Sequence, residues 1–340
     1  MADQEYTPEQ IEALKAKAIS QPLVTHIYTA DPSAHVFEGK IYIYPSHDIE
    51  AGAAFDDDGG HFQMRDYHVL VQDSPTSPAR DCGLALSVDD VPWAERQMWA
   101  PDAATRNGKY YLYFPAKRPD GIFQIGVAVG DRPEGPFKAE PEPIRGSYSI
   151  DPAVYGDEDG EFYMYFGGIW GGQLQKYRDN RYDPAHEEPA DDEPALGPII
   201  ARLTEDMKQF AETPREVLIL DPEDGKPLRA GDHDRRFFEA PWVHKYGGRY
   251  YLSYSTGNTH YLCYATSDNP YGPFVYQGRI LEPVVGWTTH HSIVEFDGRW
   301  WLYYHDSLLS GGVTHLRSAK VVEIEHDAQG RIRTLHPYGG

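Results

Sequence analysis

A short pattern of hydrophobic and polar positions occurs five times along the chain. Each copy starts with a glycine, continues with one polar residue and ends in a dense aromatic and aliphatic run. Glycine suits a turn because it tolerates positive φ, and apolar runs bounded by turn residues are typical of β-strands. Polar residues hardly interrupt these runs, so we expect both faces of each strand to be buried. The copies are Gly39–Tyr44, Gly108–Tyr113, Gly160–Tyr165, Gly248–Tyr254 and Gly298–Tyr303.

The spacing of the repeats indicates the architecture. Successive repeat glycines are 69, 52, 88 and 50 residues apart, which suggests one unit of about 50 residues with insertions in two copies. A second repeat, Gly126–Phe137 and Leu262–Phe274, places another strand before a proline–glycine turn. Strand-rich units of this length are typical of propeller blades. We therefore predict an all-β fold, a five-bladed β-propeller.

The repeats also predict the domain organisation. Residues 21–340 are expected to form one propeller domain, and residues 1–20 an N-terminal helical extension. Within that extension, Thr7, Pro8 and Gln10 have the spacing of a capping box with proline at the first helical position. This predicts a short helix over Thr7–Ala18 that carries no chemistry.

Composition narrows the range of partners. The net charge of −22 argues against a nucleic acid or an anionic membrane, and it is compatible with a neutral ligand or a metal cation. Two cysteines, Cys82 and Cys263, form neither a disulfide framework nor a zinc site. The first 20 residues lack a signal-peptide pattern, and no apolar run is long enough for a bilayer. We predict a soluble cytoplasmic protein; the sequence does not decide between a monomer and a homo-oligomer.

Carboxylates recur at equivalent places before the repeats. A short apolar strand precedes each repeat, and in a propeller such strands line the central channel. Asp31, Asp151 and Glu239 lie at these entry positions. One such residue alone is usually a turn cap or an ion-pair partner, but three would converge on one axis. Their mutual repulsion would push their pKa values apart, which is what acid–base catalysis needs.

Four aromatic residues lie near the same entry strands. Flat aromatic faces beside carboxylates suit sugar rings, although core packing is the alternative for each residue taken singly. Two carboxylates on either side of a glycosidic bond can hydrolyse it with retention or inversion. The aromatic candidates are Trp99, Trp170, Phe238 and Trp287.

Two polar segments outside the entry strands lead to separate hypotheses. The segment Lys176–Pro198 is rich in Asp, Glu and Pro, which predicts a solvated surface loop that could also cover the site. The run Phe55–Gly60 contains three aspartates but lacks the full spacing of a calcium-binding loop, so we interpret it as an acidic turn.

Taken together and in this order, the blade motifs resemble glycoside hydrolase family 43, the five-bladed propeller β-xylosidases and α-L-arabinofuranosidases. The resemblance covers nearly the whole chain from about Leu23. In ending at Gly340, soon after the fifth blade, the chain is similar to the single-domain, metal-dependent β-xylosidases of that family. The motifs are Ala30–Pro32, Phe37–Gly39, Asp66–Val69, Met98–Asp102, Ile150–Pro152, Phe238–Pro241 and Thr289–Val294.

The resemblance implies an inverting mechanism with assigned roles. Asp31 would be the general base, Glu239 the general acid, and Asp151 the residue that raises the pKa of Glu239 and orients it. Arg317 matches an arginine that approaches the sugar and a neighbouring carboxylate. His290 matches a histidine at the propeller centre that in many members binds calcium, largely through water.

The histidine position departs from the family pattern. The family usually has Gly-His, whereas this chain has Thr289-His290 followed by His291. The sequence therefore does not decide which of the two imidazoles faces the axis.

These observations predict an exo-acting, inverting β-1,4-xylosidase that releases xylose from the non-reducing ends of short xylo-oligosaccharides. The alternative within the class is an α-L-arabinofuranosidase, or one enzyme with both activities, and an endo-acting arabinanase is a third option. From other classes, a non-catalytic sugar-binding propeller or a protein-binding scaffold would not need all three carboxylates at channel positions.

Overall fold

Five sheets follow one another along the chain, and each contains one of the repeats. The computed structural model describes residues 6–50, 52–287 and 289–339; residues 1–5 of the predicted N-terminal extension lie outside this part. The first sheet comprises β1 Tyr28–Phe37, β2 Lys40–Asp48, β3 Asp66–Gln72 and β4 Arg80–Ser87. The second comprises β5 Asp102–Arg106, β6 Lys109–Lys117, β7 Phe123–Gly130 and β8 Lys138–Ala139.

The remaining three sheets repeat this order with additions. The third comprises β9 Ala153–Gly156, β10 Phe162–Phe166, β13 Ile199–Arg202 and β14 Arg215–Glu216, and its insertion forms the hairpin β11 Tyr177–Arg178 and β12 Arg181–Tyr182. The fourth comprises β16 Glu239–Tyr246, β17 Arg249–Ser255, β18 Leu262–Ser267 and β19 Phe274–Leu281, with β15 Ile219–Leu220 parallel to β19. The fifth comprises β20 His291–Phe296, β21 Arg299–Asp306 and β22 Ser318–Ile324.

The first strands of the five sheets contact one another in a closed ring. Strand β1 contacts β5 and β20, β9 contacts β5 and β16, and β16 contacts β20. Each sheet runs outward from its first strand in chain order, except that β15 is added at the outer edge of the fourth sheet. This ring confirms the predicted five-bladed propeller.

The repeat strands lie second in each blade, with a neighbouring strand on either side. Strands β2, β6, β10, β17 and β21 are buried along most of their length, as the uninterrupted apolar runs predict. The glycines that begin the repeats all have positive φ, between 71° and 84°. Both expectations from the sequence pattern are therefore confirmed.

Local backbone irregularities occur where the three carboxylates lie. The register of β1 against β2 shifts between Ala30 and Ser33, and Asp31 between them has a φ of 49°. Strand β16 shifts in the same way after Glu239, and Asp151, just before β9, has a φ of 55°. Such bulges re-aim side chains, and positive φ in residues other than glycine is concentrated at functional sites.

The N-terminal segment closes the ring between the last blade and the first. Ser20 exchanges hydrogen bonds with the backbone of Val321 in β22, and the Leu23 N–H donates to the Ala319 carbonyl. Before this segment, helix α1 (Pro8–Lys17) is capped by the reciprocal Thr7–Gln10 bonds that the sequence predicts. Within the described residues, no helix is both long and apolar enough to cross a membrane.

Candidate active site

A cavity that is open to solvent collects side chains from all five blades. Every site residue that the sequence predicts lines this cavity. They are Asp31, Trp99, Asp151, Trp170, Phe238, Glu239, Trp287, His290 and Arg317.

Asp31 is held from three directions. Its Oδ1 lies 3.0 Å from Nη1 of Arg317, the Ser46 hydroxyl donates to its Oδ2 at 2.6 Å, and its backbone N–H donates to Nδ1 of His305 at 2.9 Å. Burial raises the pKa of Asp31, and Arg317 and Ser46 oppose that rise. Since two donors stabilise its anion, Asp31 is the carboxylate best suited to remain ionised.

Arg317 is fixed by an aspartate that the sequence analysis missed. Asp48, the last residue of β2, accepts from Nε of Arg317 at 2.8 Å and from Nη2 at 2.7 Å. The Phe62 ring lies 4.8 Å from the guanidinium carbon. This bidentate pair and aromatic contact leave Arg317 little freedom. The available signal was an acidic residue at the end of an otherwise buried strand.

Asp151 and Glu239 form a second, differently stabilised pair of carboxyl groups. Burial and then the charge of Asp31 raise the pKa of Glu239 to about 8. Burial and then the charge of Glu239 raise the pKa of Asp151. The Ala240 N–H donates to Oδ2 of Asp151 at 2.9 Å, whereas Oε1 of Glu239 is buried without a hydrogen-bond partner among the described residues. The anion is therefore better stabilised on Asp151, and the proton on Glu239.

His290 faces the cavity and His291 does not. Nδ1 of His290 lies 3.7 Å from Oδ1 of Asp31 and 3.8 Å from Oδ2 of Asp151. His291 is buried, and its Nε2 lies 2.6 Å from the Ser253 hydroxyl. Burial, followed by the charge of Arg317, lowers the pKa of His290 to about 3. This imidazole is therefore neutral at pH 7 and has a lone pair to offer.

The surroundings of His290 limit the kind of metal site that it could form. Among the described residues, a cluster of three closely spaced metal-ligand side chains occurs on the first blade and does not include His290. Calcium prefers six to eight oxygen ligands. The residues present thus fit a cation that is bound by one imidazole and mostly by water.

The four aromatic residues both pack together and line the cavity. Trp170 and Trp287 are stacked with ring centres 5.9 Å apart, and the Phe238 ring meets each of them edge to face. On another wall, Nε1 of Trp99 donates to the Phe62 carbonyl at 3.0 Å. These four aromatic residues therefore pack against other side chains and also present surface to the cavity.

Both polar insertions reach the cavity wall. Within 176–198, the Glu188 carboxylate accepts from Nε1 of Trp170 and lies 3.8 Å from Arg236. In the turn 55–60, the Gly60 N–H donates to Asp56, and Phe55, Asp56, Asp57 and Gly59 line the cavity. A side chain at Gly171 would meet the Asp58 carbonyl at 2.5 Å, so the turn packs directly on the Trp170–Gly172 segment. The sequence does not show that this acidic turn belongs to the site.

The arrangement described so far is that of a carbohydrate hydrolase, and comparison with known proteins agrees. Residues 19–332 match the model of glycosyl hydrolases family 43. The chain belongs to this family. The resemblance that the motifs indicate is thereby confirmed. Membership of a hydrolase family also favours an enzyme over a non-catalytic sugar-binding propeller.

Named relatives match this chain over nearly its whole length. "Xylosidase/arabinosidase 43A" of Humicola insolens is 63% identical, with 93% of this chain and 99% of that protein covered. "Beta-xylosidase" of Xylanibacter ruminicola is 60% identical, with 91% and 97% covered. The crystal structure of a GH43_1 enzyme from Xanthomonas citri complexed with xylotriose is 67% identical, with 97% of both chains covered and a TM-score of 0.93.

Proposed function

We propose that this protein is an exo-acting, inverting β-xylosidase that releases xylose from short xylo-oligosaccharides and also hydrolyses α-L-arabinofuranosides. The observation that carries the proposal is that two carboxyl groups with different surroundings line one cavity. Asp31 accepts hydrogen bonds from Arg317 and Ser46, whereas burial and the charge of Asp31 raise the pKa of Glu239 to about 8. The family supplies the reaction class. The β-xylosidase and xylosidase/arabinosidase relatives, and the relative complexed with xylotriose, support the choice of substrate.

In the proposed reaction, Asp31 accepts a proton from a water molecule as the water attacks the anomeric carbon. Glu239 gives its proton to the leaving glycosidic oxygen. Arg317 keeps Asp31 ionised, and Asp151 keeps its negative charge beside Glu239. The wall of Trp170, Phe238 and Trp287 offers apolar contact to the sugar. Because water attacks opposite the departing oxygen, the product sugar has an inverted anomeric centre.

The proposed function is tested with p-nitrophenyl β-D-xylopyranoside and p-nitrophenyl α-L-arabinofuranoside side by side. We expect turnover of both, with the higher kcat/KM on the xyloside. A higher value on the arabinofuranoside would support the alternative substrate assignment, and turnover of neither would overturn the proposal. Proton NMR during hydrolysis of p-nitrophenyl β-D-xylopyranoside should show α-xylose as the first sugar product, whereas β-xylose as the first product would contradict inversion.

The pH dependence of kcat/KM should report the proton on Glu239. The pKa of this buried carboxyl is raised to about 8, so its acid form is present at neutral pH and is lost above that value. We expect kcat/KM for xylobiose to fall as pH rises through about 8, as measured in a buffer series of constant ionic strength. An alkaline decline that persists unchanged in the Glu239→Gln variant would assign it to another group.

We also propose that His290 holds a calcium ion mainly through water molecules. The support is a neutral imidazole that faces the cavity between Asp31 and Asp151. A bound divalent cation would supply positive charge next to the carboxylates and so favour their ionised forms.

Chelation should lower kcat without unfolding the protein. We expect dialysis against a chelator to reduce turnover and added Ca²⁺ to restore it, while the circular dichroism spectrum stays unchanged. The His290→Ala variant should lose the calcium response, and the matched His186→Gln variant, with its histidine in the surface loop, should keep it. Full turnover in a metal-free preparation would contradict the calcium proposal.

A further inference from the structure

A second group of side chains that could bind a ligand lies between β2 and β3 of the first blade. His47 is near the end of β2, and Asp66 and His68 begin β3. The Ser46–Tyr67 pair sets the register, so His47 lies opposite Asp66, and His68 follows two residues later on the same face. One ligand atom from each of the three residues lies within 4.8 Å of the other two.

The side chains of His47, Asp66 and His68 lie close together. Nδ1 of His47 lies 2.5 Å from Oδ1 of Asp66, and the rings of His47 and His68 have centres 4.8 Å apart. All three side chains are partly exposed, between 18% and 29%. A cation from solvent can therefore reach them without opening the core.

Beyond the three residues, a further carboxylate orients one of the imidazoles. Asp81 in β4 lies 3.0 Å from Nδ1 of His68, and its other oxygen lies 2.8 Å from Nε2 of His26. With Nδ1 of His68 engaged by Asp81, the lone pair available to a metal is on Nε2. A carboxylate behind a ligating histidine fixes its tautomer and raises its basicity, as is typical of metal centres.

We propose that His47, Asp66 and His68 form a binding site for a divalent transition-metal ion, with zinc as the preferred occupant. Two imidazoles and one carboxylate are a ligand set that zinc accepts, with water at the fourth position. Calcium and magnesium favour sites made of oxygen alone. The site differs from the one proposed at His290, because it lies between β2 and β3 and shares no residue with the cavity lining.

Occupancy would crosslink the ends of β2 and β3. His47 immediately precedes Asp48, which holds Arg317 in the cavity. A ligand that binds only the folded state raises its stability in proportion to the logarithm of ligand concentration over Kd. We therefore expect zinc to raise the Tm of the protein, with the effect originating in the first blade.

The test is calorimetric titration of the chelator-treated protein with Zn²⁺, followed by thermal denaturation of the same samples. The wild type should bind one equivalent more than the His47→Gln/His68→Gln double variant and should show the larger rise in Tm. Asp81→Asn should weaken binding at this site by about tenfold, because it removes only the orienting carboxylate. Cobalt(II) should give the wild type visible absorption bands that the double variant lacks.

The matched control is His186→Gln. His186 also faces a carboxylate, with its Nε2 3.7 Å from Asp183, but it belongs to no such cluster of three ligand side chains among the described residues. This variant should titrate like the wild type. The single variants His47→Gln and His68→Gln show whether misfolding accounts for the loss of binding. Each should keep the wild-type circular dichroism spectrum and lose at least tenfold in affinity for Zn²⁺. Equal stoichiometry and affinity in wild type and double variant would overturn the proposal.

Discussion

Replacing Asp31 with asparagine is expected to lower kcat by about 10³–10⁴-fold, at the upper end of what general base catalysis contributes. Asparagine keeps the shape of the side chain and can still contact Arg317 and Ser46, but it cannot accept a proton from water. The measurement is steady-state hydrolysis of xylobiose and of p-nitrophenyl β-D-xylopyranoside. Because the water must be activated for either substrate, both rates should fall by similar factors.

The control for Asp31→Asn is Asp131→Asn, whose side chain is 83% exposed and lies outside the cavity. That variant should retain wild-type turnover. Far-UV circular dichroism and Tm should show that the Asp31 variant is folded. If folded Asp31→Asn kept more than a tenth of the wild-type kcat, Asp31 would not be the general base.

Replacing Glu239 with glutamine is expected to have the second large effect, and its size should depend on the leaving group. Xylobiose has a poor leaving group that needs a proton, so kcat/KM should fall by about 10³-fold. Nitrophenolate departs readily without one, so hydrolysis of the nitrophenyl xyloside should fall much less. This contrast separates a general acid from a residue that only binds the substrate.

Two further results would decide the role of Glu239. The decline in kcat/KM above a pH of about 8 should disappear in Glu239→Gln, since the group with the raised pKa has been removed. Asp31→Asn provides the comparison, because it should not discriminate between the two leaving groups. Equal losses on both substrates in Glu239→Gln would contradict proton donation by this residue.

The sequence by itself determined the fold and the main residues of the site. Five glycine-led apolar runs fixed the number of blades, because a strand that is second in its blade has to be apolar on both faces. The carboxylates at Asp31, Asp151 and Glu239 could be found because each occupies the same place in its repeat. In a repeat protein, residues at equivalent positions of successive blades come close together at the propeller axis.

Only the tertiary structure decided how these residues are supported. Asp48 holds Arg317 across 269 residues of sequence, and His305 accepts from the Asp31 N–H across 274, so neither contact follows from the order of residues along the chain. Ser46 is closer in sequence, 15 residues from Asp31, on the strand paired with β1. The sequence predicts only an acidic turn at 55–60, whereas in the structure this turn packs against the segment that carries Trp170.

The tertiary structure also shows two features that repeats in the sequence do not reveal. His290 rather than His291 faces the cavity, because successive residues entering β20 point to opposite sides. In the Asp151–Glu239 pair, the backbone N–H of Ala240 donates to Asp151, which favours the anion on that residue. Burial and hydrogen-bond partners set these states, and both depend on which distant segments the fold brings together.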